Sequence, residues 1–241
     1  MKLKLPSLRL TSSLLFLATA AHAQAAFSIG PRVGLNLTTY RFSEKSILGT
    51  PGYRPGMEAG VASSWGLGHF ALQTAALYSQ KGCTQHYTVD IRTGSNIPAG
   101  TGDAENSSRL HYLTIPLSIA YTQGSDGQGA QVFAGPYLGV LLGGRYETTI
   151  TPNRGTPTSN SGPITPVSNE APDISGAYAR RLDAGLQAGL GYRHRALLFQ
   201  VAYSLGLRNV AASYFYNGIP VSSPAYYNRA FQGSLTYLFG K

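Results

Sequence analysis

The sequence predicts an all-β fold, an eight-stranded antiparallel up-and-down transmembrane β-barrel. Three observations predict it. Eight stretches alternate apolar and polar residues, no long unbroken apolar run follows residue 23, and short and long connections take turns between the stretches. Alternation with period two marks a strand with one apolar and one polar face. A chain that crosses a membrane on such strands must close on itself, because every backbone N–H and C=O needs a strand partner away from water.

The first strand runs from about Phe27 to Tyr40. Phe27, Ile29, Pro31, Val33, Leu35 and Leu37 share one face, while Ser28, Gly30, Arg32, Gly34, Asn36 and Thr38 share the other. The second, about Arg54 to Ser64, sets Met57, Ala59 and Val61 against Glu58, Gly60 and Ala62. The third, about Phe70 to Lys81, turns Leu72, Ala76 and Tyr78 outward and Gln73, Ser79 and Lys81 inward. In the fourth, about Leu110 to Thr122, Leu113, Ile115, Leu117, Ile119 and Tyr121 form the outer face. The fifth, about Gln131 to Tyr146, is apolar on both faces, and Phe133 and Tyr137 are expected to fill the interior over Gly135, Gly139 and Gly143. The sixth, about Arg181 to Tyr192, points Asp183 and Gln187 inward beneath an outer row of Leu182, Leu186 and Leu190. The seventh, about Leu197 to Arg208, has Phe199, Val201 and Tyr203 outside and Gln200, Ser204 and Arg208 inside. The eighth, about Asn228 to Phe239, has Phe231, Leu235, Tyr237 and Phe239 outside and Gln232, Ser234 and Thr236 inside.

Short turns at Trp65–His69, Gln123–Ala130 and Arg193–Arg195 alternate with long links at Arg41–Tyr53, Thr84–Arg109, Glu147–Arg180 and Asn209–Tyr227. Outer-membrane barrels have short periplasmic turns and long external loops. The longest link carries Pro152, Pro157, Pro163, Pro166 and Pro172 and reads as an unpaired surface loop. Two aromatic girdles are expected: Phe27, Phe70, Tyr121, Tyr192, Tyr237 and Phe239 at the periplasmic rim, and Tyr40, Phe42, Tyr78 and Tyr203 at the outer rim.

The first 23 residues read as a cleavable secretory signal. Lys2, Lys4 and Arg9 precede the apolar Leu14–Ala18, and Ala21-His22-Ala23 offers a cleavage site before Gln24. The barrel domain is then 24–241. Loss of three basic residues with the signal lowers the formal charge from +9 to +6, and the remaining basic residues form no run. Nucleic acid is therefore not an expected partner. Cys83, the sole cysteine, permits no intrachain disulfide. The histidines at 69, 86, 111 and 194 show no ligand spacing, so neither a metal nor a cofactor is expected.

An eight-stranded barrel has interior room for side chains only. The inward polar set is Arg32, Glu58, Gln73, Lys81, Asp183, Gln187, Gln200, Arg208 and Gln232, with Arg32 and Glu58 on adjacent strands and able to pair. Such a set reads as a structural plug, or alternatively as a narrow porin-like ion pathway. No catalytic residue is expected. A lipid-modifying barrel would need a nucleophile and base on one face, yet no mature His has Ser two residues on, and His86 followed by Thr88 is the nearest match.

The stretches Leu72–Gly82 (LQTAALYSQKG), Leu110–Tyr121 (LHYLTIPLSIAY), Ala134–Leu142 (AGPYLGVLL), Tyr203–Val210 (YSLGLRNV) and Asn228–Phe239 (NRAFQGSLTYLF) resemble the PorT-like outer-membrane β-barrel family. The resemblance covers nearly the whole mature chain. It implies an eight-stranded barrel in the outer membrane, exported through the periplasm, and no particular activity. It also implies insertion by the barrel-assembly machinery, which reads alternating terminal aromatics such as Tyr237 and Phe239. Where that family carries Pro-Glu, this chain has Thr74-Ala75, so an inward acid is missing from the third strand. The expected protein is a monomer in contact with outer-membrane lipid, with external loops free to meet an envelope or secretion-complex protein.

Overall fold

The computed structural model describes residues 26–43, 49–92, 98–153, 155–173, 175–216, 219–221 and 224–240. The expected signal and its cleavage site lie outside the described residues. Eight long strands form the barrel: β1 (Ala26–Phe42), β2 (Arg54–Leu67), β3 (Phe70–Arg92), β4 (Pro98–Thr122), β5 (Gly129–Pro152), β6 (Leu182–His194), β7 (Leu197–Gly206) and β8 (Tyr226–Tyr237). Each pairs antiparallel with the next, and β8 pairs with β1 through the register Arg32↔Thr236 to Phe42↔Tyr226. The ring is closed, so every strand has two partners and no barrel edge is left open.

The two faces are inverted relative to a soluble protein. Leu35 is 72% exposed, Ile119 64%, Leu138 63% and Leu190 59%, while Glu58 is 2% exposed and Asp183 0%. Large apolar side chains are exposed on all eight strands. A continuous apolar exterior of this kind is an unfavourable surface in water and a favourable one in lipid. Among the described residues no helix is long and apolar enough to cross a membrane.

Aromatic side chains mark the end of the barrel that carries the short turns. Phe27 lies 5.5 Å from Trp65 between ring centres, Phe70 lies 5.3 Å from Tyr121, and Tyr237 lies 4.8 Å from Phe239. Phe239 also continues the closure beyond β8, exchanging backbone hydrogen bonds with Ile29 at 2.8 and 2.9 Å. Toward the other end Phe231 packs against Tyr203 and Tyr53 at 4.8 and 6.1 Å. Tyr40, expected in that girdle, is instead buried inside. It follows Arg32, Asn36 and Thr38 on the inward face of β1 and hydrogen-bonds Ser108 at 3.0 Å. Strand parity, which does not change along β1, outweighs the preference of a tyrosine for the interface.

The long connections differ from the expected loops in a consistent way. β3 and β4 have 23 and 25 residues and remain paired as far as Arg92↔Pro98, so most of Thr84–Arg109 is a hairpin. β5 continues to Pro152, and Thr158–Val167 pairs back onto it from Gly144↔Ile164 to Ile150↔Thr158. Ala177–Arg180 then joins Thr158–Val167 in parallel. The prolines do not prevent this pairing. Pro152 ends a strand, Pro157 precedes one and Pro172 follows the two-residue strand Glu170–Ala171; only Pro163 and Pro166 lie inside a strand. Proline costs a ladder bond only where its missing N–H faces a partner carbonyl. Asn209–Tyr227 contributes Ser213–Tyr216 and Ile219–Val221, which pair with each other and with Glu170–Ala171 in a separate three-stranded sheet.

Candidate functional site

The interior is the candidate site, since it holds both ion pairs found among the described residues. Two ion pairs anchor it. Arg32, from β1, donates through Nε and Nη2 to Glu58 Oε1 on β2 at 3.0 and 2.9 Å. Its Nη1 reaches across the lumen to Gln200 Oε1 on β7 at 3.1 Å. Gln200 donates to Gln73 at 3.0 Å, Gln73 donates to Gln131 at 3.1 Å, and Gln232 donates to Glu58 Oε2 at 3.2 Å. Ser204 completes that arm by donating to Gln232 at 2.9 Å. Six strands, β1, β2, β3, β5, β7 and β8, are thus joined in one network around Arg32 and Glu58.

The second pair is Lys81 on β3 with Asp183 on β6, at 2.8 Å across the lumen. Asn228 of β8 donates to the same Asp183 oxygen at 2.9 Å, and the Tyr137 hydroxyl lies 3.3 Å from it. The Lys81 ammonium sits 4.3 Å from the centre of the Tyr137 ring and 5.2 Å from that of Tyr112. A buried ion needs this density of partners, because each charge removed from water is costly unless it is paired and hydrogen-bonded. Beyond the pair, Tyr40, Cys83, Leu110, Tyr112, Leu141 and Ile164 form an apolar cluster that fills the interior toward the long strand extensions.

Of the nine polar residues expected inside, Arg32, Glu58, Gln73, Gln200 and Gln232 meet in the first network, and Lys81 and Asp183 form the second. Gln187 stands apart and donates to Ser118 of β4 at 3.0 Å. Arg208 is a correction: it is exposed and lies beyond the end of β7 at Gly206. The strand ends there because the backbone N–H groups of Leu207 and Arg208 both turn to the Ala184 carbonyl, at 2.8 and 3.1 Å. Tyr112, Gln131 and Asn228 were not singled out from sequence for these networks, although their strand parity with Thr114, Phe133 and Gln232 places each on the inner face. Ala75 is buried on the inner face of β3.

Space beside the Arg32 network is small, and a wider depression of about 170 Å³, bordered by Ser64, Gln73, Thr122 and Gln131, opens at the short-turn end. The cavity bordered by Arg32, Gln73, Ser118, Gln187 and Gln200 holds about 20 Å³, room for roughly one water. Glycine is part of the fit at Gly189 on β6, where a Cβ atom would lie 2.6 Å from the Phe133 ring and in collision with the Val201 carbonyl. The Gly189→Ala variant is expected to lose about 1–3 kcal/mol through overpacking. Urea unfolding of the refolded barrel in detergent micelles measures this; an unchanged midpoint would mean that the interior is looser than these contacts imply.

No group of three or more His, Cys, Asp or Glu capable of holding a metal occurs among the described residues. His86 lies within β3, opposite Glu105 in register, and not in a loop. His111 stacks on Tyr78 with ring centres 5.8 Å apart.

Residues 22–212 match the family described as "Outer membrane protein beta-barrel domain". No curated protein matches the chain. Among solved structures, the chain is similar to Ail, the attachment invasion locus protein of Yersinia pestis, at 9% identity and a TM-score of 0.40 over 89% of this chain and 99% of that one. Ail was solved in complex with the heparin analogue sucrose octasulfate. It is also similar to outer membrane protein W of E. coli, at 13% identity and a TM-score of 0.37 over 90% and 100% of the two chains. The outer membrane protein OprG from Pseudomonas aeruginosa follows at 12% identity and a TM-score of 0.34 over 91% and 98%.

Proposed function

This chain belongs to the outer membrane protein beta-barrel domain family, and on that premise we propose that it is a non-enzymatic barrel with a sealed lumen that displays external β-structure for contacts at the cell surface or within an envelope complex. One observation carries the proposal. The Arg32 network and the Lys81–Asp183 pair bridge opposite walls of the barrel, and the cavity beside Arg32 admits about one water. A lumen filled in this way supports a plug rather than a pore.

The external parts supply the working surface. Strands β3, β4 and β5, together with Thr158–Val167, continue as one paired sheet beyond the barrel interior. Side chains on paired strands keep defined relative positions, so a contact surface built on them is more precise than one built on loops. The finer placement in the PorT-like branch, removal of the signal after Ala23, insertion by the barrel-assembly machinery and a monomeric state belong to the same proposal. The resemblance stretches and the terminal aromatics Tyr237 and Phe239 support it.

Two measurements test the reading. Protein expressed with its signal should fractionate with the outer membrane and show gel mobility that changes on boiling; recovery in the soluble periplasm would overturn the assignment. In planar bilayers, the purified barrel should show no stepwise conductance, and Arg32→Ala should not create any while the Lys81–Asp183 pair stands. Steady ion conductance in the unaltered protein would replace the plug with a channel.

A further inference from the structure

The outer surface carries a basic cluster that the sealed lumen does not use. Arg109 on β4 and Arg145 on β5 are directly opposite in register and both exposed. Like charges in directly opposed positions destabilise a ladder unless something neutralises them. Arg54, from the start of β2, joins them. Its side chain runs over Gly82, where a Cβ atom would lie 3.2 Å from Arg54 Cδ, and its guanidinium hydrogen-bonds Ser107. Arg54, Arg109, Arg145, His111 and the single carboxylate of Glu147 border one shallow depression of about 190 Å³.

Among the described residues the only ion pairs are Arg32–Glu58 and Lys81–Asp183, so none of the three guanidiniums has a carboxylate within salt-bridge distance, Glu147 included. Arg54 Nε is buried without a hydrogen-bond partner, while Arg145 donates to Ser161 at 3.1 Å. The cluster is placed by a register shift between β4 and β5. Tyr112 pairs with Leu141 but His111 pairs with Gly143, so Leu142 is an extra residue. Inward residues of β5 up to that point are odd-numbered, as in Phe133, Tyr137 and Leu141. The bulge inverts the parity, turning Arg145 outward beside Arg109. Bulges commonly re-aim a side chain in this way.

We propose that Arg54, Arg109 and Arg145, with His111, bind a phosphate group of an outer-leaflet lipid headgroup. The proposal rests on the outer-membrane reading above. Three guanidiniums less one carboxylate leave a local charge of about +2, and guanidinium forks match phosphate oxygens in pairs. Position selects the lipid as the source. On the same strands and the same face, the exposed apolar row of Leu113 and Leu142 ends at the stacked Tyr78–His111 pair, and the arginines begin directly beyond it. Aromatic side chains of this kind sit at the headgroup level of a bilayer.

The refolded full-length barrel in neutral detergent would be titrated with lipid A carrying two phosphates and with its dephosphorylated form, and binding read by native mass spectrometry. The unaltered protein should prefer the phosphorylated form. Arg109→Ala combined with Arg145→Ala should weaken that binding by about tenfold to a hundredfold, the scale of charge-assisted hydrogen bonds. Glu147→Gln should tighten it, which a merely structural role for the cluster does not predict. Equal binding of both lipids, or no change in the double variant, would overturn the site. Displacement of the lipid by millimolar inorganic phosphate would overturn the headgroup as the source and assign the site to the free anion. Heat-modifiable mobility checks that each variant is folded, and fractionation of the unaltered protein separates failure of this site from failure of the membrane reading.

Discussion

Replacing Asp183 with alanine should cost about 3–5 kcal/mol, the penalty for leaving a buried charge without its partner. Lys81 is 3% exposed, and its ammonium has the Asp183 carboxylate at 2.8 Å as its one charged neighbour. The aromatic faces of Tyr137 and Tyr112 remain beside it, at 4.3 and 5.2 Å, but a cation–π contact recovers only about 0.5–2 kcal/mol. Asn228 loses the nearer of its two acceptors in the same step, keeping only the Tyr112 hydroxyl at 3.4 Å. The double variant Lys81→Met with Asp183→Leu removes both charges and should lie much closer to the unaltered protein, because exchanging a buried pair for apolar residues of similar volume is often neutral or stabilising. Urea unfolding in lipid vesicles, followed by the boil-dependent gel shift, compares the three proteins. An Asp183→Ala barrel as stable as the original would show that water reaches Lys81 and that the lumen is not sealed.

The second large effect lies on the opposite face. Ile119→Arg should destabilise the barrel by about 2–4 kcal/mol if this position is near the bilayer midplane. Ile119 is 64% exposed, pairs laterally with Leu72 and Ala134, and lies between the exposed Leu117 and Tyr121 along β4. Glu105→Arg, on the same strand but in the external extension, exchanges one exposed charge for another and should leave stability within about 0.5 kcal/mol of the original. The contrast between the two sites is the informative quantity. In a water-soluble barrel both substitutions would be mild, since each would place a charge at a solvated position.

How much of this was legible follows from what each strand touches. Between lipid and lumen, one face must be apolar and the other polar, so alternation from Phe27 to Thr38 or Leu113 to Tyr121 revealed the strand, its face and its closure partners. Beyond the membrane neither face meets lipid. Thr84–Arg92 and Pro98–Arg109 therefore lose the alternation of hydrophobicity while keeping the backbone ladder, and a polar strand reads as a loop. The interior was legible where parity was undisturbed: Arg32, Glu58, Lys81 and Asp183 all lie on faces that alternation assigns. It failed at Arg208, where β7 had already ended at Gly206. The orientation of Arg145 could not be read either, because an extra residue at Leu142 leaves no mark in composition and shows only in the pairing of two strands.

Closure between β1 and β8 also has a kinetic meaning. Most neighbouring strands are joined by turns or hairpins and can pair as soon as both exist, whereas Thr38↔Ala230 and its companions join the two ends of the chain. Loop-closure entropy makes so distant a pairing slow and late. Until it forms, β1 and β8 each expose a row of unpaired backbone groups, the condition under which sheets recruit the wrong partner. Closing the β1–β8 seam is therefore expected to set the rate of assembly. Weakening it at Leu37 or Phe231 should slow refolding far more than an equal weakening of the β3–β4 hairpin, whose partners are close in sequence.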